Sequence, residues 1–179
     1  SFLLISLNTL LKQYDYIICG AGCAGLSLAY RLADSSFSHL KILLLDKEEK
    51  NSNDRTWSFW ADDEHLFDSV VYKHWNRINF YGDKPLERLE IAPYTYQMIR
   101  GIDFYEYTLA EIKKCAHIDI RYEAVESIAE SEHSGVVSTE RSQYESSFVF
   151  TSIVNQFPDK DDLFVWQHFK GWIVETQQP

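Results

Sequence analysis

The feature that most constrains the fold is an apolar segment that runs directly into three spaced glycines. Residues 14–19 are followed by Gly20, Ala21, Gly22, Cys23, Ala24 and Gly25, the pattern G-x-G-x-x-G. At this spacing the first glycine permits a tight turn, the second lets a pyrophosphate approach the backbone, and the third lets a helix pack on the strand. The pattern therefore predicts a strand, a turn and a helix whose N-terminus faces dinucleotide phosphates.

The residues that follow have the expected context. Leu26, Ala29 and Leu32 recur at helical spacing. Residues 40–45 form a short apolar run, typical of a parallel strand buried on both faces. The run ends at Asp46, where an acid is expected to bind a ribose hydroxyl and to disfavour a 2′-phosphate, so that FAD or NAD is predicted rather than NADP. The alternative is a chance glycine turn in an ordinary α/β protein.

Composition excludes several classes of function. The 179 residues carry a formal net charge of −10, which argues against nucleic acid and against electrostatic docking on anionic lipid. The three cysteines lack C-x-x-C spacing and the histidines are scattered, so neither a disulfide framework nor a metal site is predicted. No apolar run reaches the length of a membrane span. A reducing cytoplasmic location is expected.

The start of the chain suggests an upstream extension. Residues 1–11 are apolar but lack the basic region and cleavage site of a signal peptide. The first residue is Ser1, and the single methionine is Met98. We expect residues 1 to about 10 to lie upstream of the natural start or to belong to a truncated reading frame.

Later segments indicate a discontinuous α/β domain. A short helix is expected over 62–72, a strand pair over 76–81 and 86–91, and a helix over 104–115. The third strand of the nucleotide domain is expected over 118–122 with a continuation to 128, and further strands over 135–140, 148–154 and 164–176. The predicted dinucleotide-binding domain comprises 13–74 and 97–155, after an extension over 1–12. Segments 75–96 and 156–179 are assigned to an incomplete, β-rich second domain.

Several blocks together resemble the lycopene cyclase family, the flavoproteins of carotenoid synthesis. The resemblance covers essentially residues 13–176. It depends on the glycine pattern, on Asp46, and on three further blocks, over 53–60 (NDRTWSFW), 96–104 and 167–176 (QHFKGWIVET). The first and last of these three blocks are the most specific. The family implies a two-domain flavoprotein with a Rossmann-like FAD/NAD(P)-binding domain of the glutathione-reductase type.

The resemblance also implies a reaction. Members cyclise a polyene end group of lycopene, or of a related acyclic carotenoid, through a carbocation to a β-ionone ring. This intramolecular lyase or isomerase chemistry consumes no electrons overall but requires reduced FAD, with NAD(P)H as the reductant. The electron-rich flavin would stabilise the cation in a dry pocket. The apolar substrate implies peripheral contact with a membrane.

The candidate site residues follow from the resemblance. The glycine loop (Gly20, Ala21, Gly22, Ala24, Gly25) is assigned to the pyrophosphate, Asp46 and its neighbour Lys47 to the ribose end, and Arg55 and Arg100 to the cofactor or its supporting loops. The catalytic residue is unknown, with Glu175 as a candidate acid. The block over 53–60 is read either as a turn packed by aromatic side chains or as a lining of the site.

Two departures from the family pattern limit these expectations. Residues 150–155 read FTSIVN, where relatives have an Asp-containing turn. The C-terminal half of the family's sequence is also lacking, so this polypeptide alone is expected to bind FAD weakly and not to cyclise lycopene. Two alternatives stay open: an FAD-dependent monooxygenase or oxidoreductase of the same fold, and an inactive dinucleotide-binding remnant.

Overall fold

The computed structural model describes residues 11–80 and 87–153, together with Val165. The described chain forms eleven strands and two α-helices, with short 3₁₀ turns at Ser35–Phe37 and Asp68–Val70. In chain order the regular elements are β1 Lys12–Cys19, α1 Cys23–Leu32, β2 Ile42–Asp46, β3 Thr56–Ala61, β4 Lys73–Trp75, β5 Arg77–Phe80, β6 Glu87–Glu90, β7 Thr95–Arg100, α2 Gly101–Ile112, β8 Ile118–Tyr122, β9 Val125–Glu130, β10 Gly135–Thr139 and β11 Gln143–Thr151.

A six-stranded sheet organises the fold, in the order β8-β2-β1-β11-β10-β9. Strands β8, β2, β1 and β11 are parallel, while β9, β10 and β11 form an antiparallel meander. Only Glu123 and Ala124 separate β8 from β9, although these strands occupy opposite edges. The sheet must therefore curl, so that the meander covers one face of the parallel strands.

Both faces of the parallel strands are buried. Ile18, Ile42 and Leu44 point to the side of α1 and α2, where Leu26, Ala29 and Phe104 complete a core. The alternate residues of β1 and β2 point to the meander and pack with Val137 and Tyr144. Since successive strand residues face opposite sides, this arrangement requires the continuous apolar runs of β1 and β2. It confirms the predicted α/β class and the strand ending at Asp46.

Residues 47–100 form an insertion between β2 and α2. It contains a three-stranded sheet, β3-β7-β4, and the hairpin of β5 and β6. The hairpin agrees with the predicted strand pair, although its turn lies outside the described residues. The block over 53–60, read as a turn or a lining, instead contributes strand β3, which pairs with β7 from Thr56↔Arg100 to Ala61↔Thr95.

Four predicted boundaries were wrong. The helix predicted over 104–115 begins and ends three residues earlier, at Gly101 and Ile112. The helix over 62–72 is reduced to the 3₁₀ turn at Asp68–Val70, because side-chain acceptors on His65 and Asp68 take backbone N–H groups that a helix needs. The strand predicted to run from 118 to 128 divides at Glu123. The last described strand begins at Gln143 rather than 148 and ends at Thr151. The domain divisions near 74/75 and 96/97 stay predictions.

Neither described α-helix has the length and apolar character needed to cross a membrane.

Candidate dinucleotide site

The glycine turn joins β1 to α1 at the carboxyl end of the parallel sheet. Gly20 has a φ of +102°, a left-handed conformation that favours glycine. A Cβ on Gly25 would overlap the carbonyl oxygen of Gly20, so the third glycine allows the helix to start against the strand. The structure thus brings the first and third glycines together, as their spacing predicted.

The second glycine lies at the open N-terminus of α1. Gly22 is the N-cap residue, and no side chain caps the helix. No heavy atom lies within 4 Å of the place a Cβ would occupy on Gly22. The N–H groups of residues 22–25 have no acceptor among the described residues. A helix N-terminus with free N–H groups and no acidic residue in its first turn suits an anion such as a phosphate.

Asp46 lies at the end of β2, next to this turn, and is 7% exposed. Its Oδ2 accepts a hydrogen bond of 2.7 Å from the N–H of Ala21. Its Oδ1 accepts one of 3.2 Å from the N–H of Glu48 and lies 3.1 Å from Nζ of Lys50. The carboxylate therefore fixes the glycine loop as well as offering its remaining lone pairs to a ligand.

A cavity of about 320 Å³ opens beside Asp46. Its lining residues are Gly20, Asp46, Lys47, Lys50, Glu123, Ala124, Val125 and Ile153. Most of them follow the ends of β1, β2 and β8, the edge at which open α/β sheets bind their ligands, while Val125 begins β9 and Ile153 follows β11. The volume is at the lower end of the range for small-molecule sites, which suits one nucleoside of a dinucleotide. Gly20, Asp46 and Lys47 were predicted for this site.

Two further charged residues line the cavity, Lys50 and Glu123, and neither was predicted from the sequence. Glu123 directly follows the third parallel strand, but the predicted strand continued to 128, so the sequence did not place Glu123 at a strand end. Lys50 offers no signal in the sequence, since its position depends on the ion pair with Asp46.

A smaller cavity of about 90 Å³ lies between α1 and the end of β11. Ala24, Gly25 and Leu28 form one side of it, and Phe150, Thr151 and Ser152 form the other. Ser152 donates both its N–H, at 3.0 Å, and its hydroxyl, at 3.3 Å, to the carbonyl of Cys19. At the position where relatives carry an Asp-containing turn, this chain thus ties β11 back to β1.

Arg55 and Arg100 lie in the insertion rather than in the cavity beside Asp46. The Arg100 guanidinium donates two hydrogen bonds to Asp103, at 2.6 and 2.7 Å, and stacks 4.1 Å from the Tyr72 ring centroid. The hydrogen bond to Asp103 raises the pKa of Arg100. The Arg55 side chain is exposed, while its carbonyl accepts a hydrogen bond of 2.7 Å from Gly101.

These contacts support the segment that leads into α2. Tyr105 of α2 donates a hydrogen bond of 2.9 Å to Asp54, and burial together with this bond raises the pKa of Tyr105. A Cβ on Gly101 would lie 2.8 Å from the carbonyl oxygen of Arg55. Residues 54–55 are therefore fixed on the first turn of α2. Glu175 lies outside the described residues.

Solved structures with the same fold are flavin-dependent enzymes. PqsL, a probable FAD-dependent monooxygenase from Pseudomonas aeruginosa, has a TM-score of 0.58 at 14% identity over 77% of this chain and 42% of its own. The p-nitrophenol 4-monooxygenase PnpA from Pseudomonas putida has a TM-score of 0.60 at 13% identity, over 79% and 41%. The flavin-dependent brominase Bmp2 has a TM-score of 0.59 at 16% identity, over 78% and 38%.

These likenesses establish an FAD/NAD(P)-binding Rossmann-like fold. The chain spans about two-fifths of the length of the solved structures it matches. A comparison with curated proteins gave no match. The family model described as "Lycopene cyclase protein" matches residues 15–179, from the second half of β1 to the end of the sequence. This chain therefore belongs to the lycopene cyclase family.

Proposed function

We propose that this chain is the dinucleotide-binding part of a lycopene cyclase and that its dinucleotide is FAD. The observation that carries the proposal is the uncapped N-terminus of α1, which opens above Gly22 beside the cavity at Asp46. A group with a diphosphate and a nucleoside fits this pair of features. The buried carboxylate of Asp46 disfavours a second phosphate on the ribose, which argues for FAD or NAD over NADP.

Different residues would bind different parts of the dinucleotide. The free N–H groups of residues 22–25 would donate to the diphosphate, and the flat surface at Gly22 would let it approach. Asp46 would accept from the ribose hydroxyls with its free lone pairs, and Lys47 would line the nucleoside end. Arg55 and Arg100 would act indirectly, by holding the segment that joins the insertion to α2.

The proposed reaction is the cyclisation of a polyene end group of lycopene, or of a related acyclic carotenoid, to a β-ionone ring. Reduced FAD, when bound, would supply the electron-rich surface that stabilises a carbocation, with NAD(P)H as the reductant. A buried carboxyl kept neutral by desolvation would donate the initiating proton. Glu175 is the candidate for this acid within the present sequence. Access to an apolar substrate would require peripheral contact with a membrane.

Binding can be tested by titrating the purified chain with FAD while flavin fluorescence is followed. We expect weak binding that ADP displaces and riboflavin does not, since the described cavity serves the ADP half. Gly22→Val should abolish it, because the added side chain fills the approach to the helix N-terminus. Absence of FAD and ADP binding, or binding that Gly22→Val leaves intact, would refute the proposed cofactor site.

The fold likeness to PqsL and PnpA favours one second candidate, an FAD-dependent monooxygenase. The two chemistries differ in their use of oxygen. NADPH consumption that depends on oxygen would favour the monooxygenase, whereas β-carotene formation in a lycopene-producing host without oxygen consumption would favour the cyclase.

A further inference from the structure

Glu123 is a buried carboxylate at the crossover between the parallel sheet and the meander. It is 8% exposed and lines the cavity opposite Asp46. A buried carboxylate requires hydrogen-bond donors, because burial removes the water that solvates its charge. The side-chain partners of Glu123 come from the meander and do not themselves line the cavity.

Two hydroxyl groups hold this carboxylate. Thr139 of β10 donates a hydrogen bond of 2.7 Å to Oε2. The Tyr144 hydroxyl of β11 lies 2.9 Å from Oε1 and 3.0 Å from Oε2. Tyr144 is fully buried, so its ring and hydroxyl have a fixed position. The Glu123 side chain is consequently clamped between two strands of the meander.

The backbone of the same segment is tied to the nucleotide side. The N–H of Glu123 donates a hydrogen bond of 2.7 Å to the carbonyl of Asp46. The carbonyl of Ala124 accepts one of 3.4 Å from the N–H of Glu140. Residues 123–125 therefore form a cavity wall that the backbone ties to both β2 and the meander, and that the Glu123 side chain ties to the meander a second time.

We propose that Glu123 is a positioning residue for the nucleoside end of the dinucleotide, acting through the clamp with Tyr144 and Thr139. The backbone bond to Asp46 fixes one end of the wall at 123–125, and the clamp fixes how the Glu123 side chain lies along the cavity, and hence the shape of the cavity. This inference rests on the proposed function. It assigns the meander a role in ligand binding, which is to hold the Glu123 side chain at the cavity, and the glycine-loop residues do not have this role.

A matched pair of variants tests the clamp. Tyr144→Phe removes the hydroxyl that is hydrogen-bonded to Glu123. Tyr14→Phe removes a hydroxyl that donates a hydrogen bond of 2.7 Å to Asp119, and Asp119 does not line the cavity. The two rings pack edge to face at 6.0 Å, so both changes affect the same core. ADP and FAD affinity and the melting temperature should be measured for both variants and for the unmodified chain.

We expect Tyr144→Phe to weaken ADP binding about five- to tenfold, the scale of one lost hydrogen bond. Tyr14→Phe should lower the melting temperature to a similar extent while leaving ADP affinity within about twofold. Glu123→Gln keeps the side-chain shape and one acceptor oxygen, so its ADP affinity should lie between those of Tyr144→Phe and Tyr14→Phe. It provides the same test if Tyr144→Phe does not fold.

The outcomes separate the inference from the proposed function. Equal ADP affinity in all the variants would overturn the role of Glu123 and leave the cofactor site standing. An unmodified chain that binds neither ADP nor FAD would overturn the proposed function and this inference with it.

Discussion

Strands β2 and β3 are neighbours in the chain but differ completely in their surroundings. All five residues of β2 are buried, and the strand ends at the carboxylate of the candidate site. The residues of β3 alternate between exposed and half-buried, and Trp60 is 53% exposed. The glycine-loop region thus forms its site from its own core. The insertion instead packs one side, through Trp57, on Phe104 and Tyr105 of α2 and leaves Trp60 on the solvent side.

The largest expected effect lies in the glycine turn. Gly25→Ala should lower the free energy of unfolding by about 4 kcal/mol or more, since the added Cβ overlaps backbone rather than a flexible side chain. Chemical denaturation measures this. The matched control is Gly22→Ala, whose Cβ meets no atom within 4 Å and should cost only about 1 kcal/mol, the difference between glycine and alanine at an N-cap. Equal stability of the two variants would contradict the turn geometry.

Truncating one side chain in each strand compares β2 and β3 directly. Leu44→Ala should cost about 3 kcal/mol, because it leaves a cavity in a fully buried strand. Trp60→Ala should cost less than about 1 kcal/mol, since the ring is half exposed and packs chiefly on Tyr96, at 4.9 Å between centroids. Urea denaturation monitored by circular dichroism gives both values. A larger cost for Trp60 would mean that the insertion has a core of its own.

Arg100 tests whether the insertion takes part in binding the ADP half. Arg100→Met should lower stability only slightly, because the Asp103 pair is partly exposed to solvent. ADP affinity should be unchanged, since the guanidinium is bonded to Asp103 and stacked on Tyr72. Isothermal titration calorimetry is the measurement. A clear loss of ADP affinity would mean that the insertion, and not only the glycine-loop region, takes part in binding ADP.

The smallest effect is a pH dependence from the end of β1. Burial raises the pKa of the Cys19 thiol from 9.0 to about 12. Because the folded-state pKa lies above the unfolded one, the stabilising contribution is complete below about pH 9 and is lost as the pH rises towards 12. Cys19→Ala should therefore flatten the fall in unfolding free energy between pH 9 and 10.5. A parallel pH profile for the two proteins would show that Cys19 ionises as freely as in the unfolded chain.

The sequence was most informative where local chemistry determines the structure. The glycine spacing, the continuous apolar run before Asp46 and the family blocks predicted the β1–α1–β2 unit correctly. Prediction from the sequence failed where pairing with a distant strand determines where a strand begins or ends. Nothing local at Glu123 indicates that one strand ends there and another begins on the opposite sheet edge, and the aromatic block over 53–60 becomes a strand only because β7 lies beside it.

The pairing of β1 with β11 has a consequence for the order of synthesis. Lys12 pairs with Tyr144, and Cys19 pairs with Thr151. Strand β1 and its glycine turn are made first, yet β11, one of the two neighbours of β1 in the sheet, follows more than a hundred residues later. Contacts this distant in sequence slow folding and leave an early strand edge exposed in the meantime. On the ribosome, β1 and its turn can therefore pair early with β2, while the other edge of β1 stays open until β11 is made. A nascent chain released before that point would carry an exposed, aggregation-prone edge on β1.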